Sequence, residues 1–257
     1  MKQSVFRVIS NRPLTEDVFE LRLAGDTSAF TRPGQFAELT VDGLFLRRPI
    51  SVCDWTPDSL VLLVKAIGKG TNALRELEKG GSMDVLTGLG NGFDVGQVTG
   101  DVSALRTVLV GGGIGIAPLY ALARQLVAER SRIGIAVHLP VILGFRRASD
   151  AFYVTEFAEL GCNVMVATED GTMGTRGFVT DVLSAHPELC YAYACGPMPM
   201  LRAVARLPQV CDGQFSFEAR MGCGFGACMG CTIMTTSGPK RVCREGPVFH
   251  KSDLIFP

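Results

Sequence analysis

Four of the nine cysteines in this 257-residue chain crowd one short segment near its end, as Cys223-x4-Cys228-x2-Cys231-x11-Cys243. No other feature constrains the fold as tightly. Residues 213–257 are rich in Gly and Cys and too poor in apolar periodicity to hold a core alone, so they need a staple. An x4 then x2 spacing, with the fourth ligand further along, is the plant-type pattern for a [2Fe-2S] cluster. Three thiolates would come from a tight loop and one from a following strand. Gly222, Gly224, Gly226 and Gly230 would let that loop take positive φ and aim N–H groups at the sulfurs. A structural zinc site is the alternative, although zinc motifs usually repeat a two- to four-residue spacing in both ligand pairs. Disulfides fit least. Cys53, Cys162, Cys190 and Cys211 are expected to be small buried hydrophobes.

Composition narrows the partners. Hydrophobic residues make up 47% and charged residues 19%, enough for packed cores. Lys+Arg and Asp+Glu are both 25, so no basic excess exists to neutralise a phosphate backbone and nucleic acid is not expected. The first residues lead into an alternating segment instead of an apolar signal, and the most apolar stretch, Val108 to Val127, is interrupted by Gly, Pro and Arg. A cytoplasmic protein without a membrane span is expected, with thiols kept reduced for ligation.

Three units are expected from the texture of the chain: 1–100, 101–212 and 213–257. Residues 3–9, 18–23 and 35–41 alternate apolar and polar, and 60–64 is a short apolar run, which predicts a small antiparallel β-barrel. One helix interrupts it, with Thr71 as N-cap for Asn72 to Lys79 and Gly80-Gly81 as its stop. From about residue 100, strands at 106–110, 136–144, 163–167 and 191–195 alternate with helices near 116–128, 151–160, 178–185 and 198–207. That order predicts a doubly wound α/β unit, so the chain is a multidomain α+β protein with a small C-terminal cluster segment.

Phosphate-binding geometry recurs along the chain. Val108 to Pro118 is a strand, a glycine turn (Gly111-Gly112-Gly113-Ile114-Gly115) and a helix start, which lets a diphosphate approach N–H groups at the positive end of a helix. It is not G-x-G-x-x-G, and a purely structural turn stays open. Gly144-Phe145-Arg146-Arg147 and Ala194-Cys195-Gly196-Pro197-Met198 fall where ligands of open α/β sheets bind, although each is compatible with an ordinary turn. In the barrel, Arg47-Arg48-Pro49-Ile50-Ser51 sets two guanidinium groups beside a hydroxyl, and Gly68-Lys69-Gly70-Thr71 opens a helix. Both suit a diphosphate, or else a solvated edge and a hairpin turn.

Taken in order, these motifs resemble the ferredoxin-NADP reductase superfamily over essentially the whole length. They are most similar to the family of electron transfer subunits of dihydroorotate dehydrogenase type B. Pro33-Gly34-Gln35-Phe36 opens the flavin domain, Arg48-Pro49-Ile50-Ser51 resembles the flavin-binding Arg-x-Tyr-Ser motif, and Gly68-x-Gly70-Thr71 resembles its diphosphate loop. Gly111 to Pro118 and Cys195-Gly196-Pro197 resemble the nicotinamide-nucleotide motifs, and Met221 through Cys243 resembles the C-terminal cluster domain. The superfamily tyrosine is Ile50 here, a departure shared by the dihydroorotate subunits.

The resemblance implies FAD and a [2Fe-2S] cluster as cofactors and NAD as co-substrate. It implies that Arg48 binds FAD phosphate, that Pro49, Ile50 and Ser51 line the isoalloxazine, that Lys65, Ala66 and Ile67 pass beside it, and that Gly70 and Thr71 hold the diphosphate. Gly112, Gly113 and Gly115 would face the NAD diphosphate, with Cys195, Gly196 and Pro197 near the nicotinamide; Cys223, Cys228, Cys231 and Cys243 would hold the cluster. No residue is expected to act as a general acid, base or nucleophile. An FMN-containing dihydroorotate dehydrogenase catalytic subunit would be the partner, in a heterotetramer of two plus two, feeding electrons through the cluster and FAD to NAD+ in pyrimidine biosynthesis. Arg146 and Arg147 leave NADP open. Two other readings stay open: a flavin and iron–sulfur reductase subunit serving a sulfide, sulfite or hydrogen-metabolising enzyme, and a redox-sensing module without turnover.

Overall fold

The structure is a computed structural model, and it describes residues 1–96, 106–134 and 138–255. The expected boundary at 100/101 and the first residues of the strand expected at 136–144 lie outside the described residues.

The chain begins as a closed antiparallel barrel. Its strands are β1 (Lys2–Pro13), β2 (Val18–Ala24), β3 (Phe36–Leu39), β4 (Arg48–Thr56) and β5 (Ser59–Lys65), then, after helix α1 (Lys69–Arg75), β6 (Ser82–Leu89). They close in the order β1-β2-β5-β4-β3-β6. The apolar run of β5 has a clear cause. Leu60, Leu62 and Val64 point into the barrel core, whereas Val61 and Leu63 join the core of the following unit, so both faces are covered.

The second sheet is built from β7 (Thr107–Gly112), α2 (Ala117–Arg132), β8 (Pro140–Phe145), α3 (Val154–Glu159), β9 (Asn163–Thr168), β10 (Thr175–Arg176), α4 (Val179–Ser184), β11 (Tyr191–Cys195), α5 (Met198–Arg206) and β12 (Asp212–Ser216). The tail adds the hairpin β13 (Thr232–Thr235) and β14 (Gly238–Arg241), then β15 (Val248–His250). The order β10-β9-β8-β7-β11-β12-β15 is parallel except for the last pair. One face is covered by Leu119, Leu122 and Leu126 of α2, the other by Val182 and Leu183 of α4 and Leu201 and Val204 of α5. Sequence logic therefore recovers the doubly wound layers.

The tail is sewn in at two places. Phe215 pairs with Phe249, so β15 is an edge strand of the large sheet. Asn91, just past the barrel, donates from Nδ2 to the carbonyls of Glu245 (3.0 Å) and Val248 (2.7 Å) and accepts from Val248 N (3.1 Å). Among the described residues no helix is long and apolar enough to cross a membrane.

A buried polar contact locks barrel to sheet. The Tyr153 hydroxyl donates to Glu20 Oε2 at 2.7 Å, and Arg22 Nε donates to Glu20 Oε1 at 2.7 Å. Burial pushes the Glu20 carboxyl up, but Arg22, Tyr153 and Arg12 outweigh it and hold it below the usual range. Tyr153→Phe takes one donor from a charged buried acceptor. It should cost about 1.5–3 kcal/mol, read as a lower thermal unfolding midpoint; an unchanged midpoint would show the contact to be dispensable.

Candidate functional site

The cysteine loop folds so that its sulfurs come in pairs. Ala227 N and Cys228 N donate to Cys223 Sγ at 3.2 and 3.4 Å, and the Cys223 and Cys228 side chains interact. The β13–β14 hairpin returns the chain so that Val242 N bonds Cys231 O (3.1 Å) and Cys243 N reaches Cys231 Sγ (3.4 Å). Positive φ occurs at Gly224 (75°) and Gly226 (92°), and at Met229 (61°), where no glycine stands. Gly222 and Gly230 do not need it. Instead they lie close to Cys228 Sγ, 3.3 and 3.6 Å from where a Cβ would sit.

This arrangement tests the cofactor. Two pairs of thiols, Cys223 with Cys228 and Cys231 with Cys243, suit two irons with two thiolates each. All nine cysteines are free thiols; of the four outside the motif that were expected to be buried, Cys53 and Cys162 are buried, but Cys190 is half-buried and Cys211 exposed. Burial pushes the Cys223 thiol up, but N–H groups of Cys228, Phe225 and Ala227 and the Cys228 side chain outweigh it and bring it to about 6. Burial and the neighbouring Cys231 push Cys243 up to about 12. Donors aimed at sulfur are what a negatively charged cluster needs, and the residues fit it.

The flavin-motif residues assemble on the barrel. Arg48, Pro49, Ile50 and Ser51 open β4, all half-buried, and pair with Leu39, Glu38, Ala37 and Phe36 of β3. Gly70 comes to Arg48: a Cβ there would stand 2.0 Å from Arg48 Nε, so any side chain at this position would push that guanidinium aside. Arg48 Nη1 is anchored on the carbonyls of Leu46 (2.7 Å) and Arg47 (3.1 Å). Thr71 is not the N-cap. Helix α1 starts after Gly68, and the Thr71 hydroxyl reaches back to accept from Ile67 N and Gly68 N. Lys65 pairs with Asp17 at 3.3 Å, and beyond half-buried Ala66, Ile67 is 78% exposed, an apolar side chain left open beside this turn. A guanidinium, a glycine turn and an open apolar wall fit a dinucleotide flavin.

Between barrel and sheet lies a cleft of about 510 Å³, at the carboxyl ends of the parallel strands. Gly112, Gly113 and Pro197 line it, with Lys65 and Asp17 on the barrel side. Gly115 lies behind them, packed backbone to backbone on Cys195 and Gly196, where a Cβ would come within 2.6 Å of both. Gly113 has φ 53° and open space around it, as a cradle for a diphosphate requires. The Cys195 thiol is buried; burial, then the charge of Glu218, hold it far above the usual thiol range.

Three residues in this region escaped the sequence reading. Glu169, just past β9, lines the cleft together with Arg146. Arg146 and Arg147 donate to the two oxygens of Asp150, at 3.0 and 3.1 Å, so their charge is partly spent. Glu218 follows β12 near Cys195. Glu38 of β3 is buried behind Pro49, and burial pushes its carboxyl up to about 7, with Arg47 and Arg48 opposing and Cys223 adding to the rise. A lone acid after or inside a strand has no spacing signature. Only the end-of-strand position marks Glu169.

Comparison with known proteins finds relatives over the whole chain. Residues 109–206 match the oxidoreductase NAD-binding domain family and residues 218–255 the iron-sulfur cluster binding domain of dihydroorotate dehydrogenase B. The dihydroorotate dehydrogenase B (NAD(+)) electron transfer subunit of Bacillus mycoides (strain KBAB4) is 40% identical over 268 residues, covering 100% of both chains. That of Geobacillus sp. (strain WCH70) is 38% identical, again covering 100% of both. The solved structure of an NADH-dependent reduced ferredoxin-NADP oxidoreductase, studied for flavin-based electron bifurcation, superposes with a TM-score of 0.82 at 26% identity, over 98% of this chain and 90% of that one. With 40% and 38% identity over the full length of both chains, this chain belongs to the family of dihydroorotate dehydrogenase B electron transfer subunits.

Proposed function

We infer that this chain carries electrons from an FMN-containing, dihydroorotate-oxidising subunit to NAD+, in an assembly of two plus two chains in the cytoplasm. The observation that carries this reading is a juxtaposition. The loop of Cys223 and Gly224 abuts β3, whose partner strand β4 holds Arg48, Pro49, Ile50 and Ser51. When bound, a flavin exchanges hydride with nicotinamide and single electrons with an iron–sulfur cluster, the conversion such a subunit must supply.

The chain's own residues divide that work. Cys223 and Cys228, with Cys231 and Cys243, hold the iron; Arg48, Gly70 and Thr71 fix the flavin diphosphate and its loop; Pro49, Ile50 and Ser51, with Lys65, Ala66 and Ile67, border the ring. Gly112 and Gly113 form the NAD diphosphate cradle and Pro197 borders it near the nicotinamide, with Gly115, Cys195 and Gly196 backing them. Exposed Cys228, with Phe225 and Met229 exposed beside it, keeps this end of the loop open to a partner's electron donor. We divide the chain as 1–100, 101–212 and 213–257, although β12 and β15 make the last two share one sheet.

Co-expression with an FMN-carrying dihydroorotate dehydrogenase subunit tests the assignment: a stable complex should reduce NAD+ with dihydroorotate. Lack of either the complex or the activity overturns it.

Glu169 bears on nucleotide choice. An acid at a strand end accepts from a ribose hydroxyl and repels a 2′-phosphate. Glu169→Arg should raise the ratio of NADPH to NADH kcat/KM in a dye-reduction assay by about 10–100-fold, a charged hydrogen bond's worth. An unchanged ratio would remove Glu169 from the ribose site.

A further inference from the structure

One ionisable side chain of the barrel finds no hydrogen-bond donor in the fold. Glu38 is 1% exposed, and neither carboxylate oxygen has a hydrogen-bond partner. Its neighbours Ala37 and Leu39 point into the barrel core, so Glu38 points outward, like Phe36, which packs in the layer that contains Cys231 and Cys243. There it meets the cysteine loop: a Cβ on Gly224 would lie 2.3 Å from Glu38 Oε1. Gly224 directly follows Cys223.

The nearby cations are engaged elsewhere. Arg47 is paired with Asp84 and donates to the carbonyls of Glu38 and Asp84. Arg48 is anchored on Leu46 and Arg47 carbonyls. Arg241, on the loop's other flank, is paired with Glu245 and donates to Gly226 O. None of these cations hydrogen-bonds the carboxylate of Glu38. A buried carboxylate without a donor costs folding free energy, so its position calls for a gain in chemistry. A negative charge in a low-dielectric site opposes the arrival of an electron nearby, and net charge is one of the terms that set an iron–sulfur potential.

We propose that the Glu38 carboxylate lowers the reduction potential of the iron–sulfur centre held by the four tail cysteines, making that centre a stronger one-electron donor to the flavin side. The proposal rests on the assignment of Cys223, Cys228, Cys231 and Cys243 as cluster ligands. Because Glu38 lies on the barrel and outside the ligand set, the two can fail separately.

The experiment is an anaerobic potentiometric titration of the holo chain, with electron paramagnetic resonance of the reduced cluster as readout, at a pH high enough to ionise the carboxyl. Iron and acid-labile sulfide are measured first; their absence from the wild-type chain defeats the ligand assignment itself. With cluster present, Glu38→Gln should move the midpoint to less negative potential, and Glu38→Asp, which keeps the charge, should stay near wild type. Glu38→Met, with no polar group to bury, should move the midpoint the same way as Gln and raise the thermal midpoint of the apo chain. A merely structural role changes unfolding but leaves the potential alone. Cluster-replete Gln or Met variants with the wild-type potential overturn the proposal. So do neutral variants that fail to hold a cluster that Asp retains, since the carboxylate would then serve assembly.

Discussion

Exchanging Cys228 for alanine should empty the chain of iron and acid-labile sulfide while leaving FAD in place. Cys228 is exposed, and the backbone N–H groups that approach Cys223 Sγ do not depend on its side chain, so the apo loop has little reason to rearrange. With three thiolates left for four positions, one iron lacks a ligand. NADH-driven reduction of a dye should persist close to the wild-type rate, because the cleft and the Arg48 turn are untouched. In the complex, dihydroorotate-dependent reduction of NAD+ should fall to background, although the partner still oxidises dihydroorotate with a dye. Cys211→Ala, equally exposed but outside the motif, is the control and should change nothing. Iron retained in the Cys228 variant would remove this residue from the ligand set.

Arg48→Ala should act at the other end of the path. A charge-assisted hydrogen bond to a phosphate is worth about 1.5–3 kcal/mol, so FAD affinity should fall roughly 10–100-fold. The loss would be seen as flavin released on gel filtration, with iron content unchanged. Gly70→Ala provides an independent check, because the added methyl displaces the same guanidinium without deleting it. FAD affinity unaffected by both substitutions would show that the diphosphate lies elsewhere.

How much of this was legible in the sequence depended on range. The cysteine spacing is local and carries its chemistry in the spacing itself, and the strand–glycine turn–helix at Gly111 to Pro118 is equally local. The alternation of β1, β2 and β3 and the apolar run of β5 exposed the barrel, although β4 and β6 were not read as strands, and the strand–helix alternation exposed the parallel sheet. Strands β12, β14 and β15 were less legible: Asp212-Gly213 and Gly238-Pro239 are poor strand formers, and these segments are extended because a neighbouring strand pairs with them. The Thr71 hydroxyl looked like a cap, yet the helix begins three residues earlier, after an extended Gly68, and that hydroxyl instead accepts from Ile67 N and Gly68 N. Glu38 alternates with Ala37 and Leu39 as a solvent-facing residue would. The tail, folding back from nearly 200 residues away, as the difference between positions 38 and 224, helps make that face interior.

The edge strand β15 and the Asn91 clamp together fix how the redox groups can work. A cofactor carried on a tethered module samples many separations, and its transfer rate then follows the swing of the tether. Here the segment that bears the cysteines is pinned by main-chain bonds to the sheet on one side and by an amide to the barrel exit on the other. A cluster on these cysteines and a flavin on the barrel would thus sit on parts bonded to one another, so throughput should be governed by driving force and docking rather than by a swinging tether.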